Sequence, residues 1–180
     1  ELRYPPAIRT HRPLTAEEAR KFLQWIREHA TEWHAFYAFA LTTGMRQMEL
    51  LAAKWEYLDE ARRVYSVHES LTRQGEFESP KRPWHIAPVS LTKSLLDELN
   101  RHKARETLRL GRLPELIFSG KKGQPLCCRS LVKYYKQFLV NSGISERRFH
   151  DLRHTTASIM ISRKATVVEV AGQLRHRDPA

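Results

Sequence analysis

The segment from Trp33 to Gly44 restricts the fold of this chain more than any other. Within it Trp33, Phe36, Tyr37, Ala40 and Leu41 recur every three or four positions, the spacing of one helix face. A helix carrying that many large apolar groups is expected to be deeply buried. Gly44 can end it, because glycine adopts the left-handed backbone that other residues resist.

Elements to enclose that helix are legible on both sides. Thr15-Ala16-Glu17-Glu18 fits a capping box, with Thr15 as cap and Glu18 reaching back to the cap amide. Ala19, Phe22, Leu23 and Ile26 follow at helical spacing, so a helix is expected to run to about His29. After Gly44 a third helix is expected, with Met48, Leu51, Ala52 and Trp55 on one face. Val64–Val67 and Trp84–Val89 read as strands of a small antiparallel sheet, separated by a polar stretch bearing Gly and Pro. Ser90 is expected to open another helix, with Leu91, Leu95 and Leu99 inward, and Leu116–Phe118 reads as a short strand before the Gly120–Gly123 turn. Three further helices are expected near 128–140, 150–162 and 166–174, the last opened by a second capping box, Thr166 to Glu169. The fold class is therefore mainly α with a small antiparallel β-sheet (α+β).

Length and composition bound the partners. A chain of 180 residues, 41% hydrophobic and 28% charged, suits one globular domain with its own core. Residues 1–14 hold Pro5, Pro6, Pro13 and three arginines, and read as a basic linker from an upstream domain missing here, with the folded domain spanning 15–180. No apolar run approaches the roughly 18 residues needed to cross a bilayer, and no apolar leader opens the chain. The two cysteines, Cys127 and Cys128, are adjacent, which suits a reducing cytoplasm better than export. Lys and Arg total 31 against 20 Asp and Glu, a net charge of +11, which points to a polyanion partner.

Three short segments can carry chemistry. In His150-Asp151-Leu152-Arg153-His154, a turn of roughly 100° per residue puts His150, Arg153 and His154 on one face, and Leu152, Thr156 and Ile159 on the other. The polar face is expected toward a cleft. Thr43-Gly44-Met45-Arg46-Gln47-Met48-Glu49-Leu50 sets an arginine just beyond a tight glycine turn. Leu174-Arg175-His176 follows a capped amphipathic helix. Taken singly, each also reads as solvated surface.

Their order along the chain is more specific. The Thr43–Leu50 segment resembles the first arginine box of the tyrosine recombinases, the phage-integrase family. His150-Asp151-Leu152-Arg153-His154 resembles its His-x-x-Arg box, and Leu174-Arg175-His176 is similar to the Leu-Gly-His that follows. The resemblance runs from Thr15 to His176 and covers the family's catalytic domain nearly end to end.

That resemblance implies DNA strand cleavage by transesterification with no metal and no cofactor. A tyrosine hydroxyl attacks a phosphodiester to form a 3′-phosphotyrosine, and a 5′-hydroxyl of another strand reverses the step. Arg46 and Arg153 take the role of gripping the non-bridging phosphate oxygens through their planar, permanently charged forks. Lys81, just ahead of the Trp84–Val89 strand, takes the place of the family's hairpin lysine as general acid for the leaving oxygen. His150 is the implied base or proton shuttle, and His176 a hydrogen-bond donor to the phosphate. His154 and Glu49 support the set. The implied partners are double-stranded DNA and other recombinase protomers on it, not a membrane. The implied location is a bacterial cytoplasm or nucleoid, and the source stays open among phage or mobile element, plasmid and chromosome.

Two features depart from the family pattern. All six tyrosines, Tyr4, Tyr37, Tyr57, Tyr65, Tyr134 and Tyr135, precede His150, so the nucleophile is expected beyond Ala180 and the chain as given is expected to bind DNA without cutting it. Arg175 stands where the family has glycine, and a left-handed turn there costs about 1 kcal/mol. Three alternatives stay open. One is a non-catalytic DNA-binding accessory protein of the same fold. Another is a type IB topoisomerase-like enzyme sharing the chemistry. The third is a metal site on His150 and His154, disfavoured by the cation Arg153 between them and by the lack of ligand spacing at Cys127-Cys128.

Overall fold

A computed structural model describes residues 12–79 and 86–175. Helix α1 (Ala16–His29) begins at the expected capping box: Thr15 accepts from the Glu18 amide, and Glu18 accepts from the Thr15 amide at 2.8 Å. Phe22 and Ile26 point inward and are fully buried. A single 3-10 turn, Thr31–Trp33, leads into α2 (His34–Thr43). This is the central helix that the apolar spacing demanded. It buries Ala35, Phe36, Tyr37, Phe39 and Ala40 and packs against α1, α4 (Lys93–Leu110) and α6 (Asp151–Ser162). Phe36 and Tyr37 anchor an aromatic cluster in which Phe22, Phe118, Tyr135 and Phe149 meet mostly edge to face, with centroids 5.0–6.1 Å apart. That spacing is in the favourable range for ring quadrupoles.

The third helix, α3 (Gln47–Leu51), is shorter than its apolar spacing suggested, and Trp55 sits instead in a 3-10 turn, Trp55–Tyr57. The cause lies far along the chain. After Leu51 the backbone turns to pair with residues 115–117: the Trp55 amide donates to Glu115 O at 3.1 Å and the Ile117 amide to Ala53 O at 2.7 Å. The same pairing consumes the expected 116–118 strand, which survives as one isolated bridge between Lys54 and Leu116.

Strands β1 (Leu58–Asp59), β2 (Val64–Ser66) and β5 (Pro88–Ser90) form a three-stranded antiparallel sheet in the order β1-β2-β5. Tyr65 faces Val89 across it and both are buried. Within the polar stretch a second ribbon pairs β3 (Ser70–Leu71) with β4 (Phe77–Glu78), an element the sequence did not suggest. Lys54 anchors it by pairing with Glu69 at 2.8 Å and lying 4.8 Å over the Phe77 ring. Ser90 ends β5 rather than opening a helix; the N-cap of α4 is Thr92, whose hydroxyl accepts from the Leu95 amide at 3.2 Å.

Helix α5 (Cys128–Asn141) and α7 (Val167–Leu174) complete the domain, the latter with its expected capping box. Leu14, the last residue of the Pro-rich lead-in, is buried, and its amide donates to Thr155 Oγ1 of α6 at 2.9 Å. No helix among the described residues is long and apolar enough to cross a membrane.

Candidate functional site

The turn after α2 sets the geometry. Gly44 has φ 62° and ψ 21°, and its amide closes the helix onto Ala40 O at 3.0 Å. A Cβ here would lie 2.5 Å from Leu174 Cδ2 and 3.3 Å from Thr156 Cβ and Cγ2. The ends of α2 and α7 and the side of α6 therefore converge on a position where any Cβ would force the Leu174 side chain to shift.

Arg46 follows as the N-cap of α3, in extended backbone that turns its side chain outward, 53% exposed. Three residues on, the buried Glu49 reaches back. Its Oε2 accepts from the Arg46 amide at 2.8 Å and its Oε1 from Arg46 Nη1 at 3.0 Å. Burial alone would push the Glu49 carboxyl up. Arg175, the Arg46 amide and the Arg46 guanidinium together reverse this and hold it below the ordinary carboxylate value.

Arg153 faces inward. The helical spacing predicted His150, Arg153 and His154 together on a cleft face, but only the two histidines are exposed. Arg153 is buried, its Nη1 donating to Gly44 O at 2.7 Å and its Nη2 to Leu174 O. The reason is electrostatic. Gly44 and Leu174 sit at the C-terminal ends of α2 and α7, where carbonyls lack helical partners and the dipole favours a cation. One guanidinium caps both helices and locks them together. Burial first, then repulsion from Arg46 and Arg175 against attraction to Glu49, lower its pKa to about 10, so it stays charged near neutral pH.

His150 and His154 stand one helical turn apart, with ring centroids 5.2 Å apart and planes at 85°. The His150 pKa is moved below its ordinary value by partial desolvation of the ring, then by His154 and Arg153, with Asp151 opposing. A neutral imidazole beside the Arg153 and Arg148 guanidinium groups is able to accept a proton.

The spacing of the third box did not reveal where its arginine goes. Arg175 takes φ 55° and ψ 44°, the left-handed turn expected of a glycine, and swings its side chain inward until it is 6% exposed. There Nη2 donates to Glu49 Oε2. The only signal in the sequence was its place in the glycine slot. A second unforeseen residue, Gln173, holds α7 against the sheet. Its Nε2 donates to Thr42 O and Ser90 O, both at 3.1 Å, and its Oε1 accepts from the Ser90 amide at 2.9 Å.

Of the predicted residues, Arg46, Glu49 and Arg153 come together, with His150 and His154 at the edge. Lys81 and His176 lie outside the described residues. Among the described residues no three His, Cys, Asp or Glu side chains are grouped to hold a metal ion.

Known proteins share both the fold and the sequence. A XerC-like tyrosine recombinase of Caldanaerobacter subterraneus subsp. tengcongensis is 26% identical over 181 residues, covering 89% of this chain and 46% of that protein. The ICEBs1 integrase of Bacillus subtilis strain 168 is 30% identical over 168 residues, again covering 89% and 46%. The chain thus spans a little under half the length of these relatives. Among solved structures, the Tn1549 transposon integrase in complex with a circular intermediate DNA superposes with a TM-score of 0.83 at 15% identity, covering 96% of this chain and 60% of that one. The XerH recombinase bound to a palindromic difH substrate gives 0.72 at 20% identity, covering 94% and 47%. At these identities the superpositions establish the fold. Residues 12–180 match the phage integrase family, and with the recombinase relatives and the shared catalytic-domain fold this places the chain in that family, among the tyrosine recombinases.

Proposed function

We propose that this chain is the strand-cleaving domain of a site-specific recombinase, cutting and rejoining double-stranded DNA through a 3′-phosphotyrosine without a metal. One observation carries the reading. Segments more than a hundred residues apart bring Arg46, Glu49, Arg153 and Arg175 into one electrostatic cluster, with His150 beside it.

In the transition state of phosphodiester cleavage, charge builds on the non-bridging oxygens. Arg46 offers an exposed guanidinium with four of its five N–H groups free of Glu49. Arg153 supplies a fixed positive charge that does not need to reorganise, and such preorganised charge is worth several kcal/mol of barrier. His150 takes the proton of the attacking hydroxyl, with His154 supporting it. Lys81 protonates the leaving 5′-oxygen, and His176 donates to the phosphate. The attacking hydroxyl is assigned to a tyrosine outside these 180 residues: among the described tyrosines Tyr37, Tyr65 and Tyr135 are buried with raised pKa values, Tyr57 stacks on His68, and Tyr134 is engaged with Trp33 and Phe138. The domain begins at about Thr15, with 1–14 as the link to an upstream domain. It works on DNA beside other protomers, in a bacterial cytoplasm or nucleoid.

The test is covalent trapping. The full-length protein, incubated with a nicked duplex carrying its recombination site, should form a protein–DNA adduct stable on a denaturing gel. Arg46→Ala should slow adduct formation by about 10²–10³-fold. Equal rates in both proteins refute the assignment. Tight binding with no adduct favours the accessory DNA-binding reading instead.

A further inference from the structure

Arg175 has no role in the chemistry above, yet its placement is costly in two ways. It holds a left-handed backbone at φ 55°, and it buries a charged side chain whose Nε has no hydrogen-bond partner. What it gains among the described residues is an ion pair with Glu49.

Glu49 is a buried carboxylate with two arginines in reach, and they differ in exposure. The Arg175 side chain is 6% exposed and that of Arg46 is 53% exposed. Arg175 therefore meets the carboxylate from the interior and Arg46 from the solvent side. The Arg175 guanidinium and the Arg46 amide both donate to Oε2, which leaves Arg46 Nη1 a single bond to Oε1. Without Arg175, the full charge of the buried Glu49 carboxylate would fall on Arg46, favouring a bidentate carboxylate–guanidinium pair. That pair would take a second N–H donor and turn the guanidinium fork toward Glu49, away from a phosphate.

We infer that Arg175 is a positioning residue: it neutralises Glu49 from the inside and so keeps the Arg46 guanidinium free for a DNA phosphate. The inference rests on the phosphate-binding reading of Arg46. It makes this chain's departure from glycine at position 175 a functional part of the site. Arg175 acts through Arg46, which separates it from a cation that merely adds to the general positive field.

A double-mutant cycle tests this. The full-length protein, Arg46→Ala, Arg175→Gly and the double variant are titrated against a short fluorescent duplex at fixed salt. Thermal unfolding checks that each is folded. Glycine suits the left-handed turn, so Arg175→Gly keeps the backbone. It should weaken binding about three- to tenfold, a usual size for coupling between neighbours. In the Arg46→Ala background the same change should have no further effect. Arg175→Lys restores the cation and should recover part of the affinity. Additive losses in the double variant, or Arg175→Gly binding as tightly as the parent, overturn the inference while leaving the phosphate-binding reading intact. A parent protein that binds no duplex, or binds it no better than Arg46→Ala, overturns that reading and this inference with it.

Discussion

An alanine at position 44 would meet two obstacles at once. Its backbone would have to stay at φ 62°, at a cost of about 1 kcal/mol. Its Cβ would also press into Leu174 and Thr156, and overpacking of this kind typically costs about 1–3 kcal/mol. The Leu174 side chain is buried, so its methyl gives way only by pressing on other packed groups. Gly44→Ala should therefore lower unfolding stability by about 2–4 kcal/mol, read from urea midpoints. Glu49 gives a prediction in pH. Its folded pKa lies below its unfolded value, so its ion pairs contribute stability that is fully present above the ordinary carboxylate range, near 4.3. That contribution is lost as pH falls through the lowered pKa. The stability gap between the parent and Glu49→Gln should then be widest at pH 7 and shrink as the pH falls below about 4; a gap that grows in acid contradicts the assignment. Arg46, Glu49, Arg153 and the two histidines were legible because their spacing matches recognisable boxes. The inward turn of Arg153 was not, because helical periodicity does not show which carbonyls a neighbouring helix leaves unpaired.

Helices were easier to read than strands, and the reason is local chemistry. Thr15 with Glu18 and Thr166 with Glu169 announce α1 and α7 within four residues. The early end of α3 depends on residues 115–117, and the two-residue strands β3 and β4 pair with each other beside Lys54, which reaches Glu69 and Phe77. The two capping boxes allow a matched comparison. Thr15→Ala and Thr166→Ala should each cost about 0.5–2 kcal/mol by loss of one cap. Their effects on DNA affinity should differ. Fraying α7 loosens Leu174 and Arg175 against the site, whereas α1 contributes none of its charged groups. Equal losses of affinity would show that α7 has no special part. Gln173 extends the point to the sheet. Among the described residues β5 pairs with β2 on one side, and the Gln173 amide takes the place of a further strand at the other edge. Gln173→Leu should speed hydrogen exchange at the Ser90 amide while leaving the Val89 side of the sheet protected.

At the scale of the whole molecule, the contact between the Gly44 turn, α6 and α7 was implied by the family resemblance and not by any pattern of periodicity. What the composition did carry is the charge of +11, and its consequence belongs to the complete domain. A protein that neutralises phosphates releases condensed counterions, so log K for duplex binding should fall linearly with log salt, with a slope of about −0.9 per phosphate contacted. If the basic surface engages roughly four phosphates, affinity should drop about a hundredfold between roughly 50 and 200 mM salt. Arg46→Ala removes one such contact, and its slope should be shallower by about one. Arg175→Gly should shift the whole line downward, with a smaller change of slope, because Arg175 is buried against Glu49 and does not itself meet solvent. Anisotropy titrations at four salt concentrations distinguish these outcomes. A flat line for the parent protein would mean that the positive charge is not spent on DNA, and equal slopes for the parent and Arg46→Ala would remove Arg46 from the phosphate contacts.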